Sequence, residues 1–421
     1  MPAAPAPPYN KGAQCSHAAA YTLTIIMFEH LKALPQDPIL GLLQLFRNDP
    51  RASKIDLGVG VYKDAQGHTP VMNAVKLAEQ RLLELEDTKS YIGPAGTEGF
   101  GRAMAGLLLG DDCPLIDSGR LTIAQTPGGC GALRMAAEFL KLCNTDATVW
   151  VSNPTWGNHI PLLGGAGLNI KQYSYYSKTT HGVDFDAMMT DLQGAQAGDI
   201  VLLHGCCHNP SGADLNIEQW QAVSNLLVDK GLLPFVDIAY QGLGRGLDND
   251  AAGLRLLAEQ VPELIIAASC SKNFGLYRER TGALMLLSAT EEQAKAGASQ
   301  LFSAIRGHYS MPPSHGAAIV ETILTDTTLR ASWQAELDQM TQRILSLRDQ
   351  FVAEMDNQGM DFSFIAEQQG MFSFMGISPE QVLTLREQHG IYMLDSSRVN
   401  IAGLSIENIP AVAQALKTVL R

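Results

Sequence analysis

The chain has 421 residues, of which 46% are hydrophobic, and carries a formal net charge of −13. That is enough apolar material for one large core with a smaller unit beside it. The 30 basic residues form no dense run, which excludes the basic stripe that a nucleic acid or an anionic membrane surface requires.

The segment "MPAAPAPPYNKGAQCSHAAAYTLTIIMFEH" opens the chain, with a modest apolar stretch around residues 18–28. Its small-residue triplet precedes the apolar part, the reverse of a secretory signal, and the first arginine is Arg47, unlike an arginine-rich presequence. Residues 1–26 read as a disordered extension ahead of Met27. No stretch reaches the ~18–20 apolar residues of a membrane helix. The seven cysteines are odd in number and scattered, which predicts a reduced, cytoplasmic protein.

From about residue 120, short apolar runs alternate with amphipathic stretches. "TVWVSNP" (148–154), "DIVLLHGCC" (199–207), "LLPFVDIAY" (232–240), "LIIAASCS" (264–271) and "ALMLLSA" (283–289) read as buried strands. Residues 132–143, 217–230 and 250–259 carry apolar residues at helical spacing. This α/β alternation predicts a large domain with a mainly parallel sheet covered by helices, with ligands beyond the carboxyl ends of its strands. Residues 326–355 form a long helical pattern without a breaker, leading into a C-terminal α+β unit. There, "MDFSFIAEQQGMFSFMG" (360–376) reads as two strands joined by a turn.

Several apolar runs end in residues that packing does not explain. Asn209 follows "VLLHGCCH" in the turn "NPSG", Asp237 closes "LLPFVD", and Tyr240 comes three residues later. Taken singly, Asn209 fits a turn cap and Asp237 a helix N-cap. Lys272, in "AASCSKNFGLYRERTGAL" (267–284), is an ammonium just after a buried strand. It costs free energy there unless it is paired or forms a covalent bond. Upstream, "TPGGCGALRMAAEFL" (126–140) runs a glycine pair into a helix start, where backbone amides and the helix dipole favour an anion. Together these pieces suit a phosphorylated aromatic cofactor. The Gly128–Gly129–Cys130 turn and Arg280 would hold phosphate, Asp237 would keep a ring nitrogen protonated, and Lys272 would bond covalently. That is the pattern of pyridoxal 5'-phosphate sites.

With "SCSKNFGLYRERTG" go "LGVGVYKD" (57–64), "YIGPAGTEGF" (91–100), "SNPTWGNH" (152–159), "HGCCHNPSG" (204–212), "DIAYQG" (237–242), "AIRGHYSMPP" (304–313) and "SSRVNIAG" (396–403). From about Met27 onward the chain resembles the class I, fold-type I pyridoxal-phosphate-dependent aminotransferases, in their aspartate/aromatic amino-acid branch. The resemblance implies a large cofactor-binding domain over 71–335 and a smaller α+β domain built from both chain ends, 27–70 and 336–421. It implies Lys272 as covalent anchor and general base, Asp237 as partner of the ring nitrogen, and His159 as support for Asp237. Asn209 and Tyr240 would bond the ring hydroxyl, and Trp156 would stack on the ring. Ser269, Ser271, Arg280 and the amides of Gly129 and Cys130 would hold the phosphate.

The same resemblance implies a homodimer with shared sites, in which Tyr91 reaches the neighbouring subunit's phosphate. Arg398 would clamp the substrate α-carboxylate with Gly60 closing over it, and Arg306 would take a side-chain carboxylate across the interface. Planar guanidinium forks suit both tasks. The expected reaction moves the amino group of aspartate, tyrosine or phenylalanine to 2-oxoglutarate, by a ping-pong route between amino acids and 2-oxo acids.

Three positions depart from the family pattern. Cys130 stands where a hydroxyl residue is common, Met311 where Asn or Ser is common near Arg306, and Ser90 is atypical before Tyr91. Aspartate versus aromatic preference therefore stays open, an aromatic-preferring enzyme with minor aspartate activity being the alternative. Three further readings compete with transamination. A metal site at "HGCCHN" requires neighbouring strand residues, which face opposite sides, to converge. A regulatory cofactor-binding protein would need a DNA-binding module or a basic patch. A β-lyase side activity could use the same site.

Overall fold

The computed structural model describes residue 28 and residues 30–420, so the expected extension over 1–26 lies outside the described residues. The strands are β1 (Ile55–Asp56), β2 (Leu121–Pro127), β3 (Thr148–Asn153), β4 (Asn169–Ser174), β5 (Ile200–His204) and β6 (Leu233–Ile238). They continue with β7 (Leu264–Ser269), β8 (Thr281–Leu287), β9 (Phe372–Phe374), β10 (Ile391–Tyr392) and β11 (Arg398–Asn400). Seven of them form one sheet in the order β2-β8-β7-β6-β5-β3-β4. All neighbours are parallel except at β8, which runs antiparallel to both β7 and β2.

Helices cover both faces because the central strands are apolar on both. Leu202, Phe235, Ile265 and Leu284 face one buried cluster, with Leu133 and Leu140 of the helix Gly128–Cys143. Val201, Val236, Ile266 and Met285 face the other, with Val223 and Leu227 of the helix Ile217–Lys230. Burial of such side chains stabilises by about 1.5–3 kcal/mol each. The helix Ile217–Lys230 is delimited by its sequence, with a reciprocal Asn216/Gln219 capping box at its start and left-handed Gly231 at its end.

Residues from both chain ends pair outside this sheet. β1 pairs in parallel with β10, and β9 pairs antiparallel with β11, Arg398 facing Phe374. The helix Thr327–Asn357 links the two regions. Near its start, Trp333 stacks on Phe274 at 4.5 Å and donates to the Asn273 carbonyl at 2.8 Å. Near its end, Arg348 inserts among the carbonyls of residues 365–372.

Two strand readings change. In 360–376 only Phe372–Phe374 is a strand, whereas Phe364–Glu367 forms a helical turn that buries Ile365. The run 199–207 stops pairing at His204, because the chain turns and Cys207 adopts a left-handed φ of 51°.

Candidate active site

Asp237 lies near the carboxyl end of β6, Lys272 three residues beyond β7, and Asn209 five residues beyond β5. The parallel order of these strands brings all three to one edge, around a cavity of about 230 Å3. Trp156, Tyr240 and Ser269 also line it.

At its floor, the Asp237 carboxylate accepts from His159 Nε2 at 2.9 Å. His159 Nδ1 lies 2.7 Å from the Thr155 hydroxyl, which in turn lies 3.2 Å from His204 Nε2. With Nε2–H of His159 donating to Asp237, Nδ1 must accept from Thr155, whose oxygen then accepts from His204. One hydroxyl thus sets the tautomer of both imidazoles. Burial pushes the His204 pKa down to about 3, with the neighbouring His159 adding to the effect, so His204 stays neutral. Burial alone would raise the Asp237 pKa. The His159 hydrogen bond, first among the opposing causes, together with the neighbouring imidazoles and Lys272, outweighs it and leaves the carboxyl below its ordinary value. Asp237 is therefore a permanent anion at the base of the cavity.

The Lys272 ammonium lies 4.8 Å from the centre of the Tyr240 ring. Burial lowers its pKa, opposed by the charge of Asp237, which favours the neutral, nucleophilic amine. Asn209 Nδ2 donates to the Tyr240 hydroxyl at 3.4 Å.

On the opposite wall the helix Gly128–Cys143 begins without a side-chain cap, leaving its first amides open. Gly128 has a φ of +71°, and a Cβ there would lie 2.5 Å from the Arg280 guanidinium. A Cβ on Gly129 would lie 3.1 Å from Ser269 Cβ. Glycine is thus required for this turn to pack against Ser269 and Arg280. Amides, hydroxyls and a guanidinium converge there on a dianion-sized cradle.

Arg398 is 4% exposed. It donates to Asn209 Oδ1 at 3.3 Å and to the Gly58 carbonyl at 2.9 Å, and its guanidinium stacks 4.3 Å from the Phe372 ring centre. No carboxylate pairs with it among the described residues, and its buried Nε has no partner. A buried guanidinium in this state is suited to an incoming carboxylate. Gly60 packs on the same Phe372 ring, and a Cβ there would come within 3.1 Å of it. The donor set fits pyridoxal phosphate: an amine for its aldehyde, an anion for its ring nitrogen, and a glycine cradle for its phosphate.

Two expected residues do not reach the cavity of their own chain. Tyr91 is 91% exposed, and Arg306, near the end of the helix Glu291–His308, is exposed and hydrogen-bonds Ser310. The "HGCCHN" residues do not gather as a group of four. His204 bonds Thr155, and His208 bonds Ser152 and Ser211. The left-handed turn at Cys207 instead brings Cys206 and Cys207 within 4.8 Å of Asp250, contrary to strict strand alternation. The Asp250 carboxylate is already engaged by the amides of Gly242, Gly244 and Arg245.

A sequence model of the family "Aminotransferase class I and II" matches residues 52–416. The chain belongs to this family. An aspartate aminotransferase of Escherichia coli (strain K12) is 52% identical over 396 residues, covering 94% of this chain and 100% of that protein. An aromatic-amino-acid aminotransferase of Paracoccus denitrificans is 50% identical over 392 residues, covering 93% and 99%. The crystal structure of the aromatic-amino-acid aminotransferase from Burkholderia pseudomallei covalently bound to pyridoxal phosphate superimposes with a TM-score of 0.92. It is 43% identical and covers 94% of this chain and 100% of that one. The α/β architecture is that of the fold-type I aminotransferases. In this aminotransferase, sequence reading missed Thr155 and Phe372. Thr155 lies ahead of the helix that begins at His159 and is marked only by its contact with that imidazole, and Phe372 meets Arg398 only through strand pairing.

Proposed function

We propose that this aminotransferase depends on pyridoxal 5'-phosphate and moves the amino group of aspartate and of tyrosine and phenylalanine to 2-oxoglutarate. The observation that carries the reading is a buried Arg398 without a carboxylate partner among the described residues, hydrogen-bonded to the Asn209 that lines the Lys272 cavity. When bound, the cofactor supplies an electrophilic aldehyde and a ring that accepts the electron pair left at the substrate α-carbon.

Lys272 would hold it covalently, and its free Nζ is the base that would take the substrate α-proton. Asp237 holds a negative charge opposite the ring nitrogen, fixed in place by His159. Asn209 and Tyr240 orient the ring hydroxyl, and Trp156 covers the ring. Ser269, Ser271, Arg280 and the amides of Gly129 and Cys130 hold the phosphate. Arg398 binds the α-carboxylate, and Gly60 closes over it by its backbone. Release of the oxo acid and entry of 2-oxoglutarate complete a ping-pong cycle.

Tyr91 and Arg306 serve the neighbouring subunit of a homodimer, which accounts for their exposure away from their own cavity. Residues 71–335 form the cofactor-binding domain, and 27–70 with 336–421 the smaller one, a division supported by the β1–β10 pairing. The enzyme works in the cytoplasm, in keeping with its buried free thiols.

The test is near-visible absorption of the loaded protein, with aspartate, phenylalanine or tyrosine added separately and no oxo acid. Conversion of the lysine-linked cofactor to its aminated form by aspartate and by the aromatics supports the reading. Conversion by the aromatics alone supports an aromatic-only enzyme. Absence of a lysine-linked band in saturated protein overturns the role of Lys272.

A further inference from the structure

A buried guanidinium without a carboxylate is expensive, and the chain holds a second one behind Arg398. Arg348 is 1% exposed and forms no ion pair among the described residues. Its fork is taken up by five acceptors: the carbonyls of Ile365 (2.8 Å), Gln369 (3.3 Å), Gly370 (2.7 Å) and Phe372 (2.8 Å), and the Ser373 hydroxyl (2.7 Å). These acceptors lie along residues 365–373, from the helical turn Phe364–Glu367 through a 369–371 turn into β9, whose first residue is Phe372. The Phe372 ring lies under the Arg398 guanidinium at 4.3 Å, meets the Tyr240 ring edge-on at 5.9 Å and blocks the space beside Gly60. The same turn docks on the Asn209 segment through the Gln369 amide, which donates to the Gly212 carbonyl at 2.7 Å.

Arg348 also sits on the helix whose Trp333 holds the Asn273 carbonyl, one residue from Lys272. One rigid rod, about 22 Å between those two side chains' positions at 1.5 Å per residue, therefore touches both the Lys272 turn and β9, the strand that pairs with that of Arg398.

We infer that Arg348 is a positioning residue for carboxylate recognition: by fixing the 369–372 turn it places the Phe372 ring, and through that ring the Arg398 guanidinium. The inference rests on Arg398 binding the substrate α-carboxylate, as proposed above. Displacing a clamp by about 1 Å from a distance costs about 10²-fold. The loss falls on substrates that carry the carboxylate.

The test compares Arg348→Met, Arg348→Lys, Arg398→Lys and the Arg348→Met/Arg398→Lys double variant in the half-reaction of the loaded enzyme. Aspartate and phenylalanine are set against 2-phenylethylamine, which lacks the carboxylate, and binding of unreactive succinate is measured by calorimetry. Arg348→Met is expected to raise the apparent dissociation constants of aspartate, phenylalanine and succinate by about 10²-fold. The limiting rate, the cofactor spectrum and the slow reaction with 2-phenylethylamine stay near the parent values. Arg348→Lys, with three donors, restores part of the loss. The double variant is expected to be little worse than Arg398→Lys, because both substitutions break one unit.

A parallel loss for phenylalanine and 2-phenylethylamine, or multiplying effects in the double variant, overturns the inference. If Arg348→Met does not fold, Phe372→Leu keeps the fork and carries the same comparison. Unchanged binding in Arg398→Lys overturns the underlying reading of Arg398 itself, a result separable from failure of Arg348 alone.

Discussion

Replacing Asp237 with asparagine keeps the shape of the side chain and removes its charge. The carboxylate is 11% exposed and takes a 2.9 Å bond from His159. The amide oxygen of asparagine can accept the same bond, so Thr155 and both imidazoles keep their tautomers. The native carboxyl is held below its ordinary pKa by His159, His204 and Lys272, against the upward push of burial. The substitution therefore removes a full charge at every pH where the enzyme works.

Opposite a protonated ring nitrogen, breaking such a buried pair costs about 3–5 kcal/mol. If the loss appears in the transition state, the rate falls by about 10²–10⁴-fold. The assay is single-turnover conversion of the loaded protein by aspartate, with cofactor affinity measured in parallel. A rate for Asp237→Asn within about tenfold of the parent, a loss of only 1.4 kcal/mol, would refute the pairing of Asp237 with the ring.

Gly128→Ala forces a side chain into a left-handed position, 2.5 Å from the Arg280 guanidinium. At about 1–2 kcal/mol for the backbone alone, cofactor affinity should fall about tenfold, as read by equilibrium dialysis. Lys272→Ala and Arg306→Ala should each be inactive toward aspartate, and mixing them under subunit exchange should restore activity, because a hybrid dimer keeps one intact site; no restoration would refute shared sites. The pKa of His204 drops from 6.5 to about 3 on folding. As pH falls below about 6.5 the unfolded chain takes a proton that the folded chain refuses, so stability falls with acid by up to about 1.4 kcal/mol per pH unit. Urea midpoints between pH 4 and 7 should fall less steeply for His204→Gln.

The strands that sequence reading found are those buried on both faces, where an unbroken apolar run leaves few alternatives. The two edge strands, β2 and β4, escaped; in β4, "NIKQYS" exposes Asn169, Lys171 and Gln172, and so lacks the apolar run that marked the strands found. The helical turn Phe364–Glu367 was misread as strand because "FSFI" has strand-like residues, while its conformation answers to the Arg348 fork reaching in from a distant helix. Lys272, Asp237, Asn209 and Tyr240 were legible because polar groups at the ends of apolar runs have no packing reason to be there. Thr155, Phe372 and Arg348 were not, because each acts through a contact that exists only after the chain has folded.

The direction of β8 was written in a spacing, and it decides where a cation stands. Only the 11 residues 270–280 separate β7 from β8, and they hold Lys272 and no helix. A parallel return needs a crossover of about a dozen or more residues, usually helical, so this loop turns straight back. The reversal sets Ser269 beside Gly282 and Pro127 beside Thr281. Arg280, immediately before β8 with a φ of 53°, thus emerges at the same edge as the Gly128 turn. In a parallel β8 it would enter at the opposite edge, about 20 Å away over six residues at 3.3 Å each, and the cradle would lose its guanidinium. The one reversed strand in a parallel sheet is what puts Arg280 and Lys272 on a single short loop facing a single cavity.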